Sequence, residues 1–155
     1  MTTHFNLAEF TASDSAARLR INNELPAGLF DAAILTLEML ERIRARLSLL
    51  AGRDVPMILS SGYRCPALNA AIGSAPTSDH IKAMAADWTA PSFGTPFEVC
   101  TWLAPLVGDI GIGQLINERV RGGEWIHTST RMPALAVNRI ITISSAGTVP
   151  GIVMA

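Results

Sequence analysis

The sequence is poor in the features that mark several classes of protein. Only 2 of its 155 residues are cysteine, and Cys65 and Cys100 do not form a CxxC pair, which argues against a disulfide scaffold or a cysteine zinc site. The 12 Lys and Arg residues against 13 Asp and Glu leave a net charge of -1, without the basic excess that nucleic-acid binding needs. No apolar run approaches the ~20 residues that cross a bilayer. We therefore expect neither nucleic-acid binding nor membrane insertion.

The length suits one compact domain. A chain of 155 residues can bury a hydrophobic core without help from a metal or a disulfide, so we predict a single domain over residues 1–155. Helix-start signals within residues 1–25 predict an N-terminal arm with a short helix. The segment from Met1 to Glu9 is short and polar and does not resemble a secretory signal, from which we expect synthesis in the cytoplasm.

The apolar pattern predicts helices interspersed with short strands. Leucines and other apolar residues recur at three- and four-residue steps from Leu29 to Leu50, which is typical of a long amphipathic helix packed on a core. Shorter helices are predicted at 66–71 and 97–106. The predicted strands cover 55–60, 85–89, 114–118, 124–130 and parts of the tail 136–154. This order indicates an α+β domain with a small, mainly antiparallel sheet packed with helices.

Two of the three histidines are suited to bind a metal. His80 stands seven residues before Asp87, so a loop and the strand after it could bring an imidazole and a carboxylate together. His127, in the segment GEWIHTST, is the candidate for the third ligand. Two histidines and one carboxylate leave one tetrahedral position of Zn²⁺ open to water, whose pKa then falls from about 15.7 to roughly 7. The three residues therefore predict a catalytic zinc site.

Three motifs carry a resemblance to a known family. The chain reads S-G-Y-R at 61–64, S-D-H at 78–80 followed by Asp87, and W-I-H at 125–127. With these motifs it resembles the zinc D-alanyl-D-alanine carboxypeptidases, a family that includes peptidoglycan endopeptidases of bacteriophages and shares its fold with the hedgehog signalling domain. The N-terminal segment and QLINE also resemble short phage and prophage members. Ala83 stands where the family usually has glycine, so alanine must make a turn that glycine would ease.

The resemblance implies a function and a place of action. We expect a zinc-dependent peptidase, either a D,D-carboxypeptidase or an endopeptidase, that hydrolyses bonds involving D-amino acids in peptidoglycan peptide stems. It would serve a phage or prophage as an endolysin or a tail-associated hydrolase, made in the host cytoplasm and acting at the bacterial cell wall. Phage tail proteins are then candidate partners. The alternative is a non-catalytic virion structural or wall-binding protein that keeps the fold.

Two glutamates compete for the role of general base, which takes a proton from the attacking water and passes it to the leaving amine. Glu124 lies three residues before His127, the E-x-x-H spacing of the wider family. Residues 124 and 127 point to opposite faces of a regular strand, so Glu124 needs a bulge at the preceding glycines to reach the metal. Glu118 shares a face with His127 if it pairs with Trp125. Strand geometry therefore favours Glu118, and Glu124 stays a candidate.

The other candidate residues surround the predicted metal. The planar guanidinium of Arg64 suits a substrate carboxylate or an oxyanion, and the resemblance places this arginine at the active site. Ser78 and Asp79 are predicted to orient His80, and Ser78 is also a candidate for contacting substrate. Tyr63 either lines the substrate pocket or packs in the core.

Overall fold

The computed structural model describes residues 2–154. Within them the helices are α1 (Leu7–Thr11), α2 (Asp14–Leu19), α3 (Phe30–Ala51), α4 (Pro66–Ala71), α5 (Pro96–Leu103) and α6 (Val107–Ile110). The strands are β1 (Ile58–Ser61), β2 (Ala85–Thr89), β3 (Gln114–Val120), β4 (Gly123–Ser129), β5 (Ile140–Ser144) and β6 (Gly147–Pro150). Short 3₁₀ helices cover Ala27–Leu29, Asp79–Lys82, Ala104–Leu106 and Ala136–Asn138.

The strands form one sheet in the order β1-β2-β4-β3-β5-β6. Neighbours are antiparallel except β3 and β5, which run parallel. The prediction of an α+β domain with a small, mainly antiparallel sheet is confirmed. A two-residue turn joins β3 to β4, with φ of 53° at Arg121 and 77° at Gly122. Positive φ at both central residues matches the twist of a tight hairpin, so the two strands stay in register up to the turn.

The sheet has two unlike faces. Side chains of β2, β3 and β4 such as Trp88, Leu115 and Ile126 join one buried cluster with the apolar stripes of α3 and α5. We call this side the helix face. Because successive side chains of a strand point to opposite sides, their neighbours Asp87 and His127 point away from the helices, onto what we call the site face. The core and the candidate site therefore use different sides of the same strands.

The long helix α3 is the one that the leucine spacing predicted. It ends where Gly52, at φ 64°, donates its N–H to the carbonyls of Ser48 and Leu49, a left-handed cap that suits glycine. Near its start, the buried hydroxyl of Thr36 donates to the carbonyl of Ala83, 2.8 Å away. This bond ties the core helix to the turn that precedes β2, and so to the position of Asp87.

The helices depart from the sequence prediction at two places. The N-terminal arm holds two short helices instead of one, because Asn6 and Ser13 each accept a hydrogen bond from a backbone N–H three residues on and so start separate helices. Between the helix predicted at 97–106 and β3 lies α6, where no helix was predicted. No helix in the described part of the chain combines the length and the apolar character needed to cross a membrane.

Candidate metal centre

Three side chains with metal-binding atoms converge on the site face. Asp87 of β2 and His127 of β4 are directly paired across the sheet, and His80 comes from the 3₁₀ helix just before β2. One ligand atom from each lies within 4.8 Å of the other two. Nδ1 of His127 is 2.8 Å from Oδ1 of Asp87 and 3.3 Å from Nε2 of His80. The structure thus brings together the three residues that the sequence selected.

The hydrogen bonds of His80 determine which nitrogen is available to a metal. Nδ1 lies 2.6 Å from the carbonyl oxygen of Gly62, which only accepts, so Nδ1 carries the proton. Burial lowers the pKa of His80, against the opposing charge of Asp87, and favours the neutral ring. The lone pair on Nε2 then faces Oδ1 of Asp87 at 3.2 Å. Two lone pairs that face each other repel unless a cation lies between them, so the donor set fits Zn²⁺.

A short 3₁₀ turn presents His80. The hydroxyl of Ser78 caps it by accepting from the backbone N–H of His80 at 3.4 Å. At the other end Ala83 is fully buried and adopts φ 56°, a left-handed conformation that glycine reaches at lower cost. Alanine therefore makes the turn that the resemblance assigns to glycine. The buried bond from Thr36 helps to hold it there.

Asp87 is held from two sides. Its Oδ1 faces the two histidines, and its Oδ2 accepts from the guanidinium of Arg64, whose Nε donates to the hydroxyl of Ser61 at 2.9 Å. Burial opposes ionisation of this carboxyl, but the neighbouring His80 and His127 hold its pKa well below the usual range. Arg64 thus orients a candidate metal ligand, and Arg64 also lines the cavity beside Asp87.

The N-terminal arm braces the loop that carries Gly62 and Arg64. A Cβ on Gly62 would lie 2.3 Å from both the ring and the carbonyl oxygen of Phe10, so only glycine fits. Phe10 accepts a hydrogen bond from the N–H of Tyr63 at 2.8 Å, and the amide of Asn23 donates to the carbonyl of Tyr63 at 3.0 Å. Sequence reasoning did not identify Phe10 or Asn23, because no local pattern indicates a contact across 40 or more residues.

A cavity of about 770 Å³ surrounds the three ligands. Glu118 lines it together with Arg64 and Ser78. The register pairs Glu118 with Trp125 and Ile116 with His127, so Glu118 lies diagonally across from His127 on the site face, as strand geometry predicted. Burial, followed by the charge of Asp87, raises the pKa of Glu118.

Glu124 lies away from the cavity. Pairing between β3 and β4 is unbroken down to the hairpin turn, so no bulge swings Glu124 onto the site face. Its carboxylate is 3.7 Å from Nε of Arg119, and it lines a groove on the helix face with Pro96 and Glu98. The structure therefore places only one of the two candidate bases beside the metal ligands.

Of two further candidates, Tyr63 takes one of the two positions expected for it, whereas Asp79 does not make the expected contact with His80. Tyr63 is 3% exposed and belongs to the hydrophobic core, not to the residues described as lining the cavity, because the loop turns its ring inward. The carboxylate of Asp79 does not contact His80. It accepts from Ser129 Oγ at 2.8 Å and Arg131 Nε at 2.5 Å instead.

Comparison with known proteins gives one family. A family model described as Peptidase M15 matches residues 3–128, a span that begins before α1 and includes His80, Asp87 and His127. No curated protein matches the chain.

Proposed function

This chain belongs to the peptidase M15 family, and from that membership we propose that it is a zinc-dependent peptidase that hydrolyses bonds involving D-amino acids in bacterial peptidoglycan. The observation that carries the proposal is the convergence of His80, Asp87 and His127 within one cavity of peptide-binding size. Two imidazoles and one carboxylate are a ligand set of catalytic rather than structural zinc, because three protein ligands leave a position for reactants. When bound, zinc would act as a Lewis acid that polarises the scissile carbonyl and activates water near neutral pH.

Glu118 is the residue that we assign to proton transfer. As the water oxygen bonds to the carbonyl carbon, the Glu118 carboxylate takes a proton from it, and it returns that proton to the amine nitrogen as the carbon–nitrogen bond breaks. The pKa of Glu118, raised by burial, makes it a stronger base than an exposed glutamate and a competent acid for the second step. Arg64 keeps Asp87 oriented through both steps by its bond to Oδ2.

A second groove supports a substrate longer than a dipeptide. The groove, of about 480 Å³, lies between the N-terminal arm and β1, and Arg64 and Ile72 line both it and the cavity. A peptide stem could therefore extend past Arg64 on this side of the centre. Action at the cell wall on behalf of a phage or prophage is a further part of the proposal. Its support is the resemblance of the N-terminal segment and QLINE to short phage members.

The test is digestion of purified peptidoglycan, with mass spectrometry of the released fragments. We expect hydrolysis that a chelator abolishes and zinc restores, and we expect His127→Ala to lose both bound zinc and turnover. His4→Ala is the matched control, because His4 is a surface histidine that contacts Glu41 far from the site. Turnover that survives chelation would refute the zinc mechanism. Binding to wall material without any turnover would favour the non-catalytic alternative.

A further inference from the structure

An ion pair between the buried Asp79 and the partly exposed Arg131 lines the cavity beside the proposed zinc ligands. The side chain of Asp79 is 3% exposed, and it accepts hydrogen bonds from Ser129 Oγ at 2.8 Å and from Arg131 Nε at 2.5 Å. Ser129 is fully buried. The side chain of Arg131, by contrast, is 43% exposed and lines the cavity. One edge of this guanidinium is therefore fixed to the protein while the rest of it faces the space where a substrate binds.

Arg131 and Glu118 lie on opposite sides of the zinc ligands. Glu118 pairs with Trp125, two residues before His127, whereas the bonded Ser129 comes two residues after it. Two residues of strand span about 6.6 Å. The cavity therefore presents, in order along β4, the proposed base, the metal ligands and the guanidinium.

The guanidinium has donors left for a ligand. Nε is used by Asp79, and the terminal Nη1 and Nη2 donate to no residue between 2 and 154. These two groups form a planar fork that matches the two oxygens of a carboxylate. Arg64 is less available, because it already donates to Asp87 and Ser61.

We propose that Arg131, held by Asp79, determines specificity by binding a substrate carboxylate on the acyl side of the scissile bond. The side follows from Glu118: it must reach the leaving amine, so the amine half of the substrate lies toward Glu118 and the acyl half toward Arg131. Such a carboxylate is a side branch of the peptide stem. An example is the free α-carboxylate of a D-glutamate that is linked to the next residue through its γ-carboxyl group. The inference rests on the proposed function and names the substrate group that this part of the site recognises.

The experiment compares stem peptides that differ only by amidation. One peptide keeps all its carboxylates, a second has the branch carboxylate amidated, and a third has the C-terminal carboxylate amidated. For the wild-type zinc protein we expect amidation of the branch to lower kcat/KM by roughly ten- to a hundredfold, the range for a hydrogen bond to a charged group. Arg131→Gln should abolish this preference. A general loss of activity in a variant does not affect this test, because the preference is the ratio of the kcat/KM values of two peptides measured on the same variant.

Three further variants keep the result interpretable. Arg121→Gln is the matched control: it removes the same charge from the same cavity at the hairpin end, and it should keep the preference. Arg131→Lys keeps the charge but not the fork and should retain only part of it. If Arg131→Gln does not fold, because it leaves a buried carboxylate unpaired, the double variant Asp79→Asn, Arg131→Gln removes both charges and serves in its place.

Each outcome supports or overturns the inference. A preference that persists without Arg131, or an equal loss on all three peptides, refutes carboxylate binding by Arg131. Sensitivity to C-terminal amidation alone refutes the acyl-side assignment. If the wild-type protein cleaves none of the peptides, the proposed function has failed instead. Calorimetric titration of the same peptides into wild type and Arg131→Gln then decides the inference. The supporting result is that amidation of the branch carboxylate weakens binding to wild type but not to Arg131→Gln.

Discussion

Glu118 and Glu124 lie in the same hairpin, each one position away from the other's strand partner, yet they face opposite sides of the sheet. Glu118 lines the cavity with His80 and His127, whereas Glu124 contacts Arg119 and faces the helices. The E-x-x-H spacing alone therefore does not identify the carboxylate that lies beside the candidate metal ligands. The unbroken register of the hairpin decides which carboxylate reaches the site.

Glutamine at position 118 should stop proton transfer while keeping the size of the side chain. General acid–base catalysis typically contributes 10²- to 10⁴-fold, so we expect Glu118→Gln to lose at least about a hundredfold in turnover. Bound zinc, measured by metal analysis, should not change. Glu124→Gln is the control and should lose no more than several-fold. The reverse order would show that Glu124 reaches the metal when substrate is bound, against the register seen here.

The loop between β1 and α4 is the element on which the site depends most. Gly62 contributes the carbonyl that holds His80, and it packs against Phe10 with no room for a side chain. The same loop carries Arg64, which holds Asp87. The N-terminal arm therefore contributes to the metal centre without touching it.

A methyl group at Gly62 should disturb both folding and metal binding. Since its Cβ would lie 2.3 Å from Phe10, we expect Gly62→Ala to lower the free energy of unfolding by about 1–3 kcal/mol. Displacing the carbonyl that orients His80 should also weaken zinc binding, by roughly ten- to a hundredfold. Urea denaturation and a competitive zinc titration measure the two effects. Gly108→Ala is the control: nothing lies within 4 Å of its added Cβ, so it should leave zinc binding unchanged, and because the position is helical it should raise the free energy of unfolding, if it changes it, by no more than about 1 kcal/mol.

The elements that the sequence predicted well are those with a local or periodic signal. The helix at 66–71 and the strand at 85–89 have the predicted bounds, and α3 follows from its leucine spacing. The pairing of Glu118 with Trp125 could also be anticipated, because a short glycine-containing turn leaves few registers for β3 and β4. His80, Asp87 and His127 could be selected together because motif spacing places them on neighbouring elements.

What escaped prediction depends on contacts between distant residues. The 3₁₀ helix that presents His80 is too short to have a periodic signal, and it is held by a bond to Gly62 from 18 positions away. The inward turn of Tyr63 depends on Phe10 and Asn23. Arg131 shows no motif at all, and only the fold brings it to Asp79. Such contacts are selected by packing in three dimensions, for which a linear pattern carries no signal.

The domain as a whole should keep its fold without zinc. The core cluster contains side chains with no exposed surface, among them Leu40, Ile43 and Leu47 of α3 and Trp88 on the helix face of β2, and none of these four is a candidate metal ligand. We therefore expect the helical circular dichroism signal to survive treatment with a chelator, with a lower melting temperature that zinc restores in proportion to its concentration. Collapse of the helical signal on chelation would mean that the metal is structural.

The alternation of the two faces along β2 and β4 also sets which substitutions a population of variants can tolerate. Under selection for the amount of intact protein, changes at Ala86, Trp88 and Ile126 should be removed most strongly, whereas changes at Asp87 and His127 should be tolerated more often, since active-site polar groups are commonly retained at a cost in stability. Under selection for wall hydrolysis, both sets should disappear. The substitutions that survive each selection can be counted at every position by sequencing. The difference between the two counts should therefore alternate with a period of two residues along these strands. Adaptation to a new substrate can then proceed on one side of the sheet without eroding the other.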